Sequence, residues 1–170
     1  EQGYGFVRDF VGTVAAAGCE VFIVHARHAV LKGLSPKENR EIPPLRREVV
    51  HWLKRDFPAL TIVTNGGLTD WAAIEREWQA VDGAMLGRAA YHDPWLLCAA
   101  DARLTGADVP PVTRADVVHG LVRYAETQAR RGVPLRAIAR HALGLYHGVP
   151  GGRRYRRLLS EPQQLRDASP

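Results

Sequence analysis

Hydrophobic and polar positions alternate with two different periods over residues 1–105. Short apolar runs closed by glycine or polar residues are typical of buried strands, and they read "EVFIV", "LTIVTN" and "DGAMLG". Other segments carry an apolar residue every three or four positions, which predicts helices in "GYGFVRDFVGTVAAAG", "LRREVVHWLKRDF", "WAAIEREW" and "RAAYHDPWLL". The order α-β-α-β-α-β-α predicts βα units on a parallel sheet. Strands this apolar also predict that helices cover both faces of the sheet.

The rest of the chain has helical periodicity only. Composition breaks at "TGADVPPVTR", where we place a domain boundary between residues 1–108 and 109–170. Beyond it, Thr113 can cap a helix in "RADVVHGLVRYAETQARRG". Two further amphipathic helices are predicted in "PLRAIARHALGLYHG" and "GGRRYRRLLSE". We therefore expect an α/β part followed by a small all-α domain.

The net charge of +5 is distributed unevenly along the sequence. Residues 1–113 carry 12 Lys and Arg against 14 Asp and Glu, whereas residues 114–170 carry 11 Arg against 4 acids. A basic, arginine-only tail is suited to a polyanion such as a nucleic acid. A solvated helix surface is the alternative interpretation.

Composition also excludes several classes of protein and site. Cys19 and Cys98 lie in apolar contexts, which predicts reduced core thiols in a cytoplasmic protein. No apolar run approaches the roughly 20 residues that span a bilayer. His25 and His28 lack companion ligands, so we expect no metal site, and neither a Ser-His-Asp pattern nor a Walker loop is visible.

Each predicted strand ends on residues suited to holding a ligand. Ligands of parallel α/β folds gather at the carboxyl ends of the strands. Glycines let a phosphate approach backbone N–H groups, and an arginine can bind it bidentately. Alone, "NGG" could be an ordinary turn and the histidine a structural one, but consecutive strand ends together predict a phosphate site. The phosphate site would be formed by Asn65, Gly66, Gly67, Gly87 and Arg88, and His25 at the same rim would face the ligand.

Basic residues three positions apart occur in both parts of the chain. The connection after the first strand spans residues 25–44, although connections in α/β units usually have about two to six residues. It contains Lys37 and Arg40. The tail motif "GGRRYRR" offers two such pairs, and they cannot all face one partner on a helix. Basic pairs in two parts could hold a folded RNA, but spacing leaves open which tail pair does so.

Three long motifs closely resemble the A subfamily of tRNA-dihydrouridine synthases: "FIVHARHAVLKGLSPKENREIPPL", "IVTNGG" and "DGAMLGRAAYHDPWLL". The resemblance extends over essentially the whole chain, including "LGLYHGVPGGRRYRRLLSE". It implies an FMN-binding (β/α)8 TIM barrel followed by a small helical tRNA-binding domain. It further implies a flavoprotein oxidoreductase of tRNA processing. Such enzymes reduce the C5=C6 bond of D-loop uridines at tRNA positions 20 and 20a, with NADPH as the reductant.

The resemblance assigns roles to individual residues. It implies that FMN is held by His25, Asn65, Gly66, Gly67, Gly87 and Arg88. It implies that tRNA is contacted by Lys37, Arg40, Arg153 and Arg156. It thereby selects one of the two tail pairs that spacing left open.

The chain departs from the family pattern in what it lacks. The family's proton donor is a cysteine on an earlier barrel loop, and neither Cys19 nor Cys98 stands in that context. A flavin-contacting lysine on a preceding strand is also missing. Only three strands are predicted, whereas a closed barrel has eight and about 250 residues. We therefore expect the C-terminal portion of such an enzyme, inactive alone, with no catalytic residue of its own, and monomeric when full length.

Two alternatives stay open at this point. Another FMN-dependent (β/α)8 oxidoreductase, of the dihydroorotate or dihydropyrimidine type, would explain "NGG" and "GR" but not the basic tail. A non-enzymatic RNA-binding module would explain the tail without requiring the flavin.

Overall fold

The computed structural model describes residues 3–30 and 32–161. The chain divides into two compact units, Glu1–Gly87 and Arg88–Pro170. The domain boundary predicted at residue 108 stays a prediction, because a compact unit is not by itself an independently folding domain. None of the helices in the described residues is long and apolar enough to cross a membrane.

Helices and strands alternate in the first unit, as the two periods predicted. In chain order they are α1 (Tyr4–Ala16), β1 (Val21–His25), α2 (Pro36–Asn39), α3 (Arg47–Asp56), β2 (Thr61–Asn65), α4 (Trp71–Trp78) and β3 (Gly83–Met85). The strands form one sheet in the order β1-β2-β3, and both pairs are parallel. The predicted α/β arrangement with a parallel sheet is therefore confirmed.

The core of the first unit lies between α3 and the middle strand. Val50 and Leu53 on one face of α3 and Ile62 of β2 are completely buried. Burial of each such side chain stabilises the fold by about 1.5–3 kcal/mol. The helix begins two residues later than its apolar spacing indicated, because Leu45 pairs with Arg27 in an isolated antiparallel bridge.

The prediction that both faces of the sheet are covered is wrong for β1. Val21 and Ile23 on one face of this strand are 56% and 58% exposed. On α1, Phe6 and Phe10 of the predicted apolar stripe are 78% and 57% exposed. The prediction of core thiols is wrong for Cys98, which is exposed. Apolar spacing identified these elements correctly, but the described residues do not bury all of their apolar faces.

The long connection after β1 contains a loop, residues 28–44, here called the excursion, whose two ends are joined by backbone contacts. The N–H of Arg46 donates to the carbonyl of Ala26 at 2.7 Å, beside the Arg27–Leu45 bridge. Within the excursion, Asn39 Oδ1 accepts the N–H of Val30 at 2.7 Å, and its Nδ2 donates to the Val30 carbonyl at 2.9 Å. The loop is thus closed by backbone pairing at its base and by an amide side chain near its tip.

Short helix α2 lies at the tip of this excursion and was not predicted. Ser35 and Glu38 form a capping box, in which each side chain accepts the other residue's N–H. The side-chain hydrogen bond with Ser35 lowers the pKa of Glu38. The sequence signal was present, because "SPKE" has the spacing of a capping box with proline at the first helical position.

The second unit consists of helices in its described part. They are α5 (Arg88–His92), a 3-10 helix (Pro94–Ala99), α6 (Ala100–Thr105), α7 (Arg114–Ala129), α8 (Leu135–Ala139) and α9 (Gly152–Ser160). The predicted cap of α7 is confirmed: Thr113 Oγ1 accepts the N–H of Asp116, whose carboxylate accepts the N–H of Thr113. The segment that follows α7 departs from prediction.

Periodicity predicted a helix throughout "PLRAIARHALGLYHG", but α8 ends at Ala139. Turns follow, in which each N–H of His141, Ala142 and Leu145 donates to the carbonyl three residues back. At Gly144 the backbone lies so close to the His92 carbonyl that a Cβ would collide with it. Tertiary packing has overridden the local helical preference here.

Asp82, the residue immediately before β3, links the start of this strand to α3 and β2. Its Oδ2 accepts the N–H of Ile62 at 2.8 Å and forms an ion pair with Lys54 Nζ at 2.8 Å. The hydrogen bond from Lys54 lowers the pKa of Asp82 below its usual value. A depressed pKa contributes stability above the unfolded-state pKa, and that contribution disappears as the pH falls through the folded-state pKa.

We expect Asp82→Asn to lower the free energy of unfolding by about 1 kcal/mol near pH 7. The difference from wild type should shrink below a pH of about 4, because the wild-type carboxyl then becomes protonated as well. Urea unfolding across this pH range measures it. Asp9→Asn is the control, since among the described residues the Asp9 side chain pairs only with its exposed neighbour Arg8. A difference that persists undiminished at a pH of about 2 contradicts the assignment.

Candidate functional site

Parallel register places the ends of the three strands side by side. His25 lies opposite Asn65 in the β1–β2 pair, and Asn65 lies opposite Met85 in the β2–β3 pair. The turn Gly66–Gly67 follows Asn65 directly, and Gly87 follows Met85 by two residues. Of the predicted phosphate and flavin residues, the structure thus gathers those of the first unit at one sheet edge. Arg88 is the first residue of α5 and belongs to the second unit.

Both glycines of the turn are required by its geometry. Gly66 and Gly67 have φ angles of 115° and 63°, in the region that favours glycine. A Cβ at Gly66 would lie 3.0 Å from His25 Cε1, and one at Gly67 would collide with Leu45 Cδ1. The turn therefore lies against the His25 ring on one side and Leu45 on the other.

Arg47, at the start of α3, reaches the inner side of this turn. Its Nη2 donates to the carbonyl of Gly66 at 3.1 Å and to that of Gly67 at 3.2 Å. Its Nη1 lies 3.6 Å from Glu77 Oε1 on α4. Glu77 is only 6% exposed, and its other oxygen accepts a hydrogen bond from His51 Nε2 at 3.0 Å.

Sequence reasoning missed Arg47 and Glu77. Both lie on helices whose charged residues are expected to face solvent, and the contacts join positions far apart in the chain. A weak signal existed in α4, since Glu77 lies three residues after Ile74, on the helix face that is buried. Periodicity alone cannot show that a carboxylate on that face meets an arginine.

The turn offers N–H donors that are not otherwise used. Within residues 3–30 and 32–161, no hydrogen bond is made by the N–H of Gly67 or of Leu68. By contrast, the first turn of α4 is already capped, because Asp70 Oδ1 accepts the N–H of Ala73 at 2.8 Å. An oxyanion at this edge would therefore be held by the glycine turn rather than by the helix end.

A cavity of about 460 Å³ lies beside His25 within the first unit. Its volume falls in the range of small-molecule sites, about 300–1,000 Å³. The lining combines apolar side chains of α1 and α3 with the residues that follow β1, and it includes Phe6, Val7, Val24, His25, Ala26 and Val49. The cavity and the glycine turn both border His25.

The predicted tRNA-contacting residues are all exposed. Lys37 lies on α2 and Arg40 is its C-cap residue. Arg153 and Arg156 lie on α9.

Contacts of α9 determine which way its arginines face. The hydroxyl of Tyr155 donates to the Ala142 carbonyl at 3.2 Å, and its ring lies 4.5 Å from that of Tyr146. Gly152 is buried, and it lies so close to the Tyr146 carbonyl that a Cβ there would collide with it. These contacts turn one side of α9 inward and leave the arginines on the outside.

The two arginine pairs of α9 differ in their ion pairing. Arg157 Nε lies 3.3 Å from Glu161 Oε1, an ion pair between residues one helical turn apart. Within the described residues, Arg153 and Arg156 make no ion pair. The pair that the resemblance selected is thus the one whose charge is not offset by a neighbouring acid.

A family model and several curated relatives match most of this chain. A sequence model of the dihydrouridine synthase (Dus) family matches residues 2–169. The tRNA-dihydrouridine(20/20a) synthase of Pseudomonas aeruginosa is 52% identical over 159 residues, which are 94% of this chain and 48% of the relative. The protein of the same name from Salmonella typhi is 47% identical over 162 residues, which are 95% of this chain and 49% of the relative.

A third relative, the tRNA-dihydrouridine(20/20a) synthase of Pseudomonas putida, is 49% identical over 94% of this chain and 47% of its own length. The chain therefore spans about half the length of the curated relatives that it matches. Its α/β content and small parallel sheet are consistent with part of the barrel of such proteins. Because the family match extends over nearly the entire sequence, the chain belongs to the dihydrouridine synthase family.

Proposed function

We propose that the protein carrying this chain is a tRNA-dihydrouridine synthase that uses FMN and NADPH to reduce uridines 20 and 20a of the tRNA D-loop. The names of its relatives support this tRNA substrate. In this proposal, residues 1–108 supply the C-terminal portion of a (β/α)8 barrel, and residues 109–170 form an all-α tRNA-binding domain. The protein would act in the cytoplasm as a monomer, without a metal or a membrane.

The observation that carries the proposal is the glycine turn at the sheet edge. The N–H groups of Gly67 and Leu68, which have no hydrogen-bond partner among the described residues, suit the phosphate of FMN. His25 borders both this turn and the adjacent cavity, so it suits contact with the flavin. Asn65, Gly87 and Arg88 complete the proposed cofactor set.

The chemistry that FMN supplies when bound is hydride transfer to the C5=C6 bond of uracil. The residues of this chain would bind and orient the cofactor. They would not provide the proton, because the resemblance places the donor cysteine upstream, and Cys98 lies in the helical unit.

The basic residues would hold the RNA while the target base leaves its stack. A base must be extruded before a buried cofactor can reach it, and extrusion costs a few kcal/mol. Contacts to phosphates that persist during extrusion offset this cost. We assign that role to Lys37 and Arg40 on the excursion and to Arg153 and Arg156 on α9, whose exposure supports it.

The activity is tested with the full-length protein, FMN, NADPH and unmodified tRNA. We expect dihydrouridine at positions 20 and 20a, detected by mass spectrometry as the gain of two hydrogen atoms. The 170-residue chain alone is the matched sample, and it should give no product because it lacks the proton donor. Absence of product with the full-length protein would contradict the proposed function. Turnover by the 170-residue chain alone would contradict the assignment of the proton donor to the upstream part of the protein.

The RNA contacts are tested by comparing the two arginine pairs of α9. Replacing Arg153 and Arg156 by alanine should weaken tRNA binding and reduce the slope of log K against log salt by about 1.4–1.8, as expected for two phosphate contacts. Replacing Arg154 and Arg157 removes the same formal charge from the same helix and should change the slope less. Equal slopes for the two double variants would contradict the assignment.

A further inference from the structure

We propose that Arg47 and Glu77 are positioning residues that hold the glycine turn in its phosphate-binding conformation. The inference rests on the proposed function, because it takes the phosphate of FMN as the group bound there. Neither side chain is proposed to touch the cofactor. Their effect would be exerted through the backbone of Gly66, Gly67 and Leu68.

The direction of the N–H groups follows from the direction of the carbonyls. Arg47 Nη2 binds the carbonyl oxygens of Gly66 and Gly67 at 3.1 and 3.2 Å. All peptide bonds in the described residues are trans, so each carbonyl points opposite to the N–H of the next residue. The N–H groups of Gly67 and Leu68 are therefore directed away from Arg47. These are the same two N–H groups that have no partner among the described residues.

Without Arg47, the turn would be free to adopt other conformations. Glycine populates positive and negative φ about equally, so two consecutive glycines can rotate the peptide plane between them at little cost. A rotated plane would direct a carbonyl oxygen at the phosphate and repel it. The bifurcated contact with Arg47 selects the orientation in which both N–H groups are available, and such preorganisation lowers the free-energy cost of binding.

Glu77 restrains the guanidinium that makes this contact through an ion pair at 3.6 Å, without a hydrogen bond. A carboxylate that is 6% exposed is stable only when it is paired, and its two oxygens face Arg47 Nη1 and His51 Nε2. Arg47 is thereby held between Glu77 on one side and the turn on the other.

The competing explanation is that the Arg47–Glu77 pair merely joins α3 to α4 and stabilises the fold. The two explanations differ in which ligand is affected. Riboflavin has the same ring system as FMN but lacks the phosphate. Loss of a correctly oriented turn should weaken FMN binding selectively, whereas a loss of overall stability should weaken binding of both flavins.

The experiment measures the Kd of FMN and of riboflavin by fluorescence titration of the flavin-free, full-length protein. We expect Arg47→Met to weaken FMN binding by about tenfold or more, with riboflavin binding nearly unchanged. Glu77→Gln should weaken FMN binding less, and Arg47→Lys should restore part of the affinity because an ammonium can still donate to a carbonyl. Arg55→Met is the matched control on the same helix, since Arg55 is exposed and pairs with its neighbour Asp56.

Parallel losses for FMN and riboflavin, or no loss for either, would overturn the inference while leaving the proposed function in place. A wild-type protein that binds neither flavin would instead overturn the proposed function and the inference with it. If Arg47→Met prevents folding, the Arg47→Lys and Glu77→Gln variants are used instead, because both keep a polar side chain at the turn. The ratio of the Kd for FMN to the Kd for riboflavin then decides between the two explanations.

Discussion

Parallel pairing of β2 with both of its neighbours is the constraint on which the rest of the first unit depends. Because side chains and strand ends follow the register, His25, Asn65 and Met85 lie in one row, and the residues that come after each strand emerge at the same edge. Burial of α3 against β2 then carries Arg47 to the back of the turn that follows Asn65. One register thus places both the candidate binding groups and the side chain that orients them.

Much of this arrangement was accessible from the sequence. Apolar runs located the strands, and spacing located α1, α3, α4 and α7, because local periodicity reflects which face of an element is buried. The concentration of candidate residues at strand ends followed from a general property of parallel sheets. Helix α2 was not predicted, although the spacing of Ser35, Pro36 and Glu38 is that of a capping box and is visible in the sequence.

Other features lay beyond sequence reasoning for physical reasons. The early end of α8 depends on the close approach of Gly144 to the carbonyl of His92, a contact between distant positions. The contact of Arg47 with Gly66 and the burial of Glu77 are likewise tertiary. The exposure of Val21 and Ile23 on β1 could not be seen either, since an apolar residue does not reveal what covers it.

The closed base of the excursion after β1 has a consequence for how this region can diverge between related proteins. Because Arg27 pairs with Leu45 and Arg46 bonds to Ala26, residues 28–44 form a loop whose two ends are joined by backbone contacts. Loop-closure entropy rises only slowly with loop length, so added or deleted residues at its tip cost little. The tip can therefore evolve as a separate module, and its basic residues can change while the sheet edge beneath it stays the same.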